Sequence, residues 1–540
     1  MTTKETPATF RSSVNMVVVP VVVRDKAGKA NGLLKQEDFR LFDRGKEQTI
    51  VRFSVEKPNS QKIKVARNDA NPLEAPPDEL LAPDHFVAYT FDDIHSNTGD
   101  LIRARLAVEK HLESSRQENT RVGIFTTSGR VGLEFTDEMS KFRDTLLRIT
   151  PQPIGRSTTQ DCPNLEFYTA DQITNKNNKL ALDVMVADTI ACANLPPDDP
   201  QSIETATRMV QAGSSRVLQI GTQESLAALR TVSELARRLS SMPGKRVLVL
   251  VSPGFMLTPG ERDAESTAIE RAVKANVVIN SIDIRGLYAD FGDVSRQSAA
   301  TQQAIVMLSQ FHRENARMNS DVLAELSTGT GGSHFQNNND LPQGLRQASD
   351  VPENYYLLSF SPQNLKLDGG FHELKVSLRI PAGQNISARR GYFAPRRLSS
   401  ADETAKEEIS MALFSREEMK DIPVDLHTQF FKTPDGKANL TILAKIAIKQ
   451  LQFRKENGRN LNDVIVVAGI FDRNANYLQG LSKTLTMRLR EETLSIRLAN
   501  GITVRNDFKI PPGQYFIRVV VRDAEGQNMA AQNTAVDIPY

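Results

Sequence analysis

Residues 92–96 read Asp-Asp-Ile-His-Ser. Carboxylates, an imidazole and a hydroxyl in one short run can do two kinds of chemistry. Carboxylate and hydroxyl oxygens ligate hard cations such as Mg²⁺ or Ca²⁺. A carboxylate near a histidine is also a candidate acid/base pair, here Asp93 with His95. The plainest alternative is an acidic pair that caps and solubilises a loop.

The flanking residues predict what positions this group. Phe86 to Phe91 is a run of aromatic and β-branched residues that stops at Asp92. A polar turn, Ser96 to Asp100, follows, and then Leu101, Ala104, Val108 and Leu112 recur at helical spacing. The pattern predicts strand, acidic loop, helix. In an open parallel sheet, ligands bind beyond the carboxyl ends of the strands. Phe91 is therefore expected to be buried, with Asp92 and Asp93 at the carboxyl end of a central strand. In extended chain the two acids face opposite sides, because strand side chains alternate. A carboxylate without a cation needs donors, for instance backbone N–H groups of the loop or the start of the helix at residue 100.

The same alternation continues. Arg121–Thr126 and Val131–Phe135 read as strands joined through Ser128-Gly129-Arg130. Arg246–Val251 is an apolar run suited to a strand covered on both faces, and Val277–Ile284 is another strand. Repeated β-α-β units imply a mostly parallel sheet with helices on both faces. Residues 151–225 interrupt the order with two helical stretches, at about 178–192 and 201–241. This insertion carries Cys162 and Cys192, the two cysteines of the chain. One pair fits a single disulfide or two free thiols. The 30-residue separation suits a disulfide that ties the loop to a helix end, so Cys162 and Cys192 are expected within disulfide range, with Cα atoms about 4.4–6.8 Å apart, and the bond would add roughly 3 kcal/mol.

The 540 residues suggest about three or four domains. A β unit spans 12–56, with Pro20 arguing for an edge position or bulge. A Pro-rich linker covers 57–84. The α/β domain runs 85–395 and includes an antiparallel extension at 354–393. A charged connector at 396–420 leads to a domain at 421–540. There, strands separated by turns such as Pro434-Asp435-Gly436 predict an immunoglobulin-like β-sandwich.

Lys and Arg number 67 against 65 Asp and Glu, so no global basic field draws nucleic acid. No apolar run approaches the ~20 residues of a membrane span. Residues 1–13 are polar and show no signal peptide. No phosphate-binding G-x-x-x-x-G-K, no G-x-S-x-G and no H-E-x-x-H occurs. No nucleophile is visible beside Asp93 and His95.

Several motifs together carry a family likeness. They are Asp38-Phe39-x-Leu41-Phe42-Asp43-x-Gly45, Phe91-Asp92-Asp93, Cys162-Pro163, Ser281-Ile282-Asp283-Ile284-Arg285-Gly286, Tyr355-Tyr356-Leu357-Leu358-x-Phe360-Ser361-Pro362 and Arg389-Arg390-Gly391-Tyr392-Phe393. Over about 14–395 the chain resembles the bacterial, acidobacterial-type, von Willebrand factor A-related proteins. The resemblance implies a Rossmann-like sheet and a non-enzymatic, usually exported protein; a binding or scaffold role, with a protein partner recognised at the top of the sheet, is the function expected. Together with the cysteine pair the resemblance implies a secreted, periplasmic or cell-envelope location.

Type A domains often hold Mg²⁺ or Ca²⁺ through Asp-x-Ser-x-Ser, a Thr on a later loop and an Asp after the fourth strand. Here Asp92 and Ser96 match positions one and five, which makes them the candidate metal ligands. Ile94 stands at position three and Ser252 replaces the late Asp. Thr158 or Thr159 is the candidate Thr, and Asp93 can substitute as a ligand. The resemblance thus implies a degenerate site in which Asp92, Asp93, Ser96 and Ser252 face a ligand. Weak or absent cation binding is expected there, and no other cofactor. A cation-dependent adhesion module and a cryptic hydrolase are the alternatives.

Overall fold

The computed structural model describes residues 17–25, 31–56, 62–64, 79–115, 119–154, 162–286, 302–349, 355–362, 370–379, 385–388, 391–394, 401–414 and 418–539. Its centre is a six-stranded sheet. The strands are β1 (His85–Phe91), β2 (Thr120–Thr126), β3 (Gly132–Thr136), β4 (Lys245–Ser252), β5 (Val277–Asp283) and β6 (His334–Phe335), in the spatial order β6-β5-β4-β1-β2-β3. β3 is antiparallel to β2; the other pairings are parallel.

β1 lies between β4 and β2, and all of its residues are buried. Its apolar run follows from burial on two faces. Alternate residues serve opposite cores. Val87, Tyr89 and Phe91 pack with Val249 and Val251 against α1 (Thr98–Ser114), α2 (Met139–Arg148) and a short later helix at Leu341–Ser349. Phe86 and Ala88 pack with Leu248 and Leu250 on the other face.

The insertion contributes α3 (Phe167–Thr174), α4 (Lys179–Cys192) and α5 (Pro200–Leu239). α5 does two jobs. Ala206 and Val210 pack with Ala181 and Met185, while Ala228, Val232 and Leu239 cover the sheet beside α6 (Arg262–Lys274) and α7 (Gln302–Thr330). Insertion and domain therefore share one continuous helix. Cys162 and Cys192 form a disulfide with Cα atoms 6.0 Å apart.

Two boundaries change. The β unit at 12–56 and the extension at 354–393 are one β-sandwich. Val17–Arg24 pairs with Tyr355–Phe360 and Asn385–Ala388, and Phe39–Asp43 pairs with Phe371–Leu378. Val19, Val21, Leu41, Tyr356 and Leu358 share its core. The α/β domain is thus inserted between two halves of a sandwich. Strand patterns mark strands but not their partners, so residues over 300 positions apart (Val17 with Phe360, for example) read as separate units. The strand carrying Pro20 is interior rather than an edge; Pro20 sits just before the stretch paired with Asn385–Ala388. Within the expected linker, Lys62–Lys64 pairs with Glu79–Leu81.

The connector forms α8, here the helix Ala401–Leu413. The C-terminal part is a β-sandwich of two antiparallel sheets with a common core that includes Ile442, Val466, Phe508 and Val519. Among the described residues no helix is long and apolar enough to cross a membrane.

Candidate functional site

The chain turns at the end of β1. The Asp92 N–H still bonds to the Val251 carbonyl at 2.9 Å, but the Asp93 N–H folds back to the Phe91 carbonyl at 3.1 Å. This turn defeats the alternation expected of an extended strand. The Thr127 hydroxyl meets a carboxylate oxygen of Asp92 at 2.8 Å and one of Asp93 at 3.1 Å, so the two acids meet at one group.

Asp92 is fully buried. His95 Nδ1 lies 2.9 Å from each of its carboxylate oxygens, and the Ser252 hydroxyl donates to it at 2.6 Å. Burial opposes its ionisation. Electrostatic attraction to His95 and hydrogen bonds from His95, Ser252 and Thr127 outweigh that, and hold Asp92 below the ordinary carboxylate pKa. An ionised carboxylate accepts only, so Nδ1 carries the proton of this contact. The imidazole also stacks on Phe255, with ring centroids 5.0 Å apart.

Asp93 faces the turn between β2 and β3. It accepts the Ser128 N–H at 2.9 Å and the Ser128 hydroxyl at 2.6 Å. Burial, aided by the charge of Asp92, pushes its pKa up despite the Ser128 and Thr127 bonds. The pair is therefore split, with one acid below and one above the usual value. The donors are side chains and two loop N–H groups, of Ser128 to Asp93 and of His95 to Asp92 at 3.3 Å. The start of α1 does not serve them; Asn97 caps it by accepting the Asp100 N–H at 2.8 Å.

Two glycines hold the loops. Gly129, at φ +71°, closes the β2–β3 turn. Gly254, at φ +84°, follows Ser252, and its N–H donates to the Ser252 hydroxyl at 2.9 Å. A Cβ on Gly254 would stand 2.1 Å from the Asn319 carbonyl oxygen.

The gathered residues do not fit a divalent cation. Both Asp92 oxygens already accept from neighbouring side chains. The Ser96 hydroxyl donates to the Asp92 carbonyl, and Ile94 is buried with no oxygen to offer. Asp283, at the end of β5, is paired with Arg285 at 2.6 Å. Among the described residues no group of three or more His, Cys, Asp or Glu is placed to hold a metal. Thr158 and Thr159 lie outside the described residues.

Asp92, Asp93, Ser96 and Ser252 thus lie together at the carboxyl end of the sheet. The expected acid/base pair changes partners, since His95 bonds to Asp92 rather than Asp93. Thr127, Ser128 and Arg130 were not singled out from the sequence. Their signal was the one that marked Asp92: an apolar strand, Arg121–Thr126, ending abruptly in polar residues.

No family model matches the chain, and no curated protein matches it. An aerotolerance-related membrane protein from Bacteroides fragilis aligns with 49% of this chain and 96% of its own, at 13% identity and a TM-score of 0.23. The pilus adhesin SpaC from Lactobacillus rhamnosus aligns with 93% of this chain and 56% of its own, at 8% identity and a TM-score of 0.22. Likenesses this weak carry no argument about this chain.

Proposed function

We propose that the chain is a non-enzymatic binding or scaffold protein that recognises a protein partner at the carboxyl end of its parallel sheet. The α/β domain is read as von Willebrand factor A-like with a degenerate metal site, working without a cation. One observation carries this reading: Asp92, the ligand that such a site keeps, has its oxygens filled by His95, Thr127 and Ser252. A cation would have to break charge-assisted hydrogen bonds in a buried place. The disulfide supports an exported location, since such bonds persist in oxidising compartments.

Calorimetric titration with Mg²⁺, Ca²⁺ and Mn²⁺ tests the reading. Only heats of dilution are expected. Micromolar binding that disappears in Asp92→Ala would overturn it in favour of a divalent-cation-dependent adhesion module.

The Asp92–His95 contact is also the arrangement that orients a general base, which gives hydrolysis as a second reading. Among the described residues no hydroxyl or thiol bonds to His95 Nε2, so the nucleophile such a reading needs is not in place. Ester or peptide turnover that Asp92→Asn abolishes would support it.

A further inference from the structure

We propose that the cavity beside Asp93 receives the carboxylate of an acidic side chain from the protein partner, held by Arg130. This rests on the reading of the sheet's carboxyl end as the partner-binding face, and adds the chemistry of what is bound there.

The cavity encloses about 410 Å³. That is near the lower end of ligand pockets, large enough for one side chain and part of its backbone. Ile94, Pro153 and Ile154 supply apolar wall, and Ser128, Gln152 and Arg130 supply polar wall. Arg130 is the charged residue of the lining. Its N–H bonds to the Ser128 hydroxyl at 3.2 Å, which ties it to the turn set by Gly129. Its guanidinium donates from Nη1 to the neutral Gln152 amide oxygen at 2.5 Å.

No carboxylate pairs with Arg130 among the described residues. The two acids of the site are committed elsewhere. Asp93 accepts from Thr127 and Ser128, and Asp92 from His95, Thr127 and Ser252. A guanidinium carries five N–H donors in a planar fork. With Gln152 fixing one arm, the rest match a carboxylate in bidentate geometry. The apolar wall suits the aliphatic stem of Glu or Asp. A Lys would meet like charge, and an amide would forgo the charge-assisted bonds.

The test uses the full chain and two blocked tripeptides, Ac-Ala-Glu-Ala-NH2 and Ac-Ala-Gln-Ala-NH2, in ligand-observed NMR titrations. The Glu peptide is expected to bind in the millimolar range, at least tenfold tighter than the Gln peptide (about 1.4 kcal/mol). Arg130→Gln is expected to remove that preference. Arg208→Gln, which changes an exposed arginine on α5, is expected to keep it. Equal binding of the two peptides, no binding of either, or a preference that survives Arg130→Gln would overturn the inference. So would equal losses in the Arg130 and Arg208 variants, which would show attraction by net charge alone. A partner that crosslinks at this face while both peptides fail would overturn the inference and leave the proposed function standing. Peptide selectivity without any partner at this face would support the pocket and count against the proposed function.

Discussion

Asp92 is buried, ionised and surrounded by donors. Truncating it takes the carboxylate acceptor from His95 and Ser252 and leaves Thr127 with Asp93 alone. Asp92→Ala is expected to cost about 2–4 kcal/mol in urea denaturation at pH 7, because buried donors lose a charged acceptor. The pH dependence has a definite sign. A carboxylate whose folded pKa is depressed contributes stability above its unfolded pKa of about 3.9, and that contribution is lost as pH falls through the folded value. The gap between the parent chain and Asp92→Asn should therefore be full at pH 7 and close in acid. Asp93, with a raised pKa, has the opposite sign. The position of both acids was legible in the sequence, since an apolar run that ends in Asp-Asp marks the end of a buried strand. Their partners were not. Thr127, just after β2, and Ser252, the last residue of β4, lie 35 and 160 positions away from Asp92, and nothing local encodes a contact of that range.

At the scale of elements, α6 and α7 meet through a crowded acidic contact. Glu265 on α6 is pushed up to about 7 by burial first, and further by Glu325 on α7, with Arg262 pulling the other way. Arg262 Nη1 bonds to both carboxylates. A raised carboxyl pKa contributes stability below the ordinary value of 4.5 that is lost as pH rises through about 7. Glu265→Gln removes that titration, so its stability relative to the parent chain should increase between pH 5 and pH 8 in paired thermal melts. The elements were mostly legible. β1, β4 and β5 followed from apolar runs, and α4 and α5 from periodicity within a residue or two of their observed ends. Strand pairing was not legible. Val17–Arg24 carries the right residues for a strand but no mark that its partners are Tyr355–Phe360 and Asn385–Ala388. Hydrophobic alternation fixes which face is buried, not which strand lies alongside.

Across the whole molecule, the C-terminal sandwich abuts the amino ends of the parallel strands, opposite the acidic loop. Asn474 accepts from Arg121 at the start of β2, and Ala475 enters the α/β core. Arg246, near the start of β4, donates to the carbonyls of Met242 and Ala275 at 2.7 Å and of Phe414, just after α8, at 2.8 Å. Burial lowers its pKa to about 10 without changing its charge at neutral pH. Two of these charge-assisted bonds stay within the α/β domain, and the third, to Phe414, ties the connector to it. Arg246→Met keeps the apolar stem and should cost about 3 kcal/mol, with faster amide exchange across 401–413. With the sandwich fixed at one end of the sheet, the acidic loop and the cavity occupy the other.

The central claim is that this opposite end binds a protein partner without a divalent cation. Site-specific photocrosslinking tests it most directly. A photoreactive residue replaces Ile154, 37% exposed at the cavity rim, or as a control Ile496, 63% exposed on the C-terminal sandwich. Each labelled chain is illuminated with envelope and secreted fractions of the source organism, in Mg²⁺ and in EDTA. A discrete adduct from position 154, absent from position 496 and of equal yield in both buffers, is the predicted result. An adduct that EDTA abolishes, or one that forms only from position 496, would contradict the account.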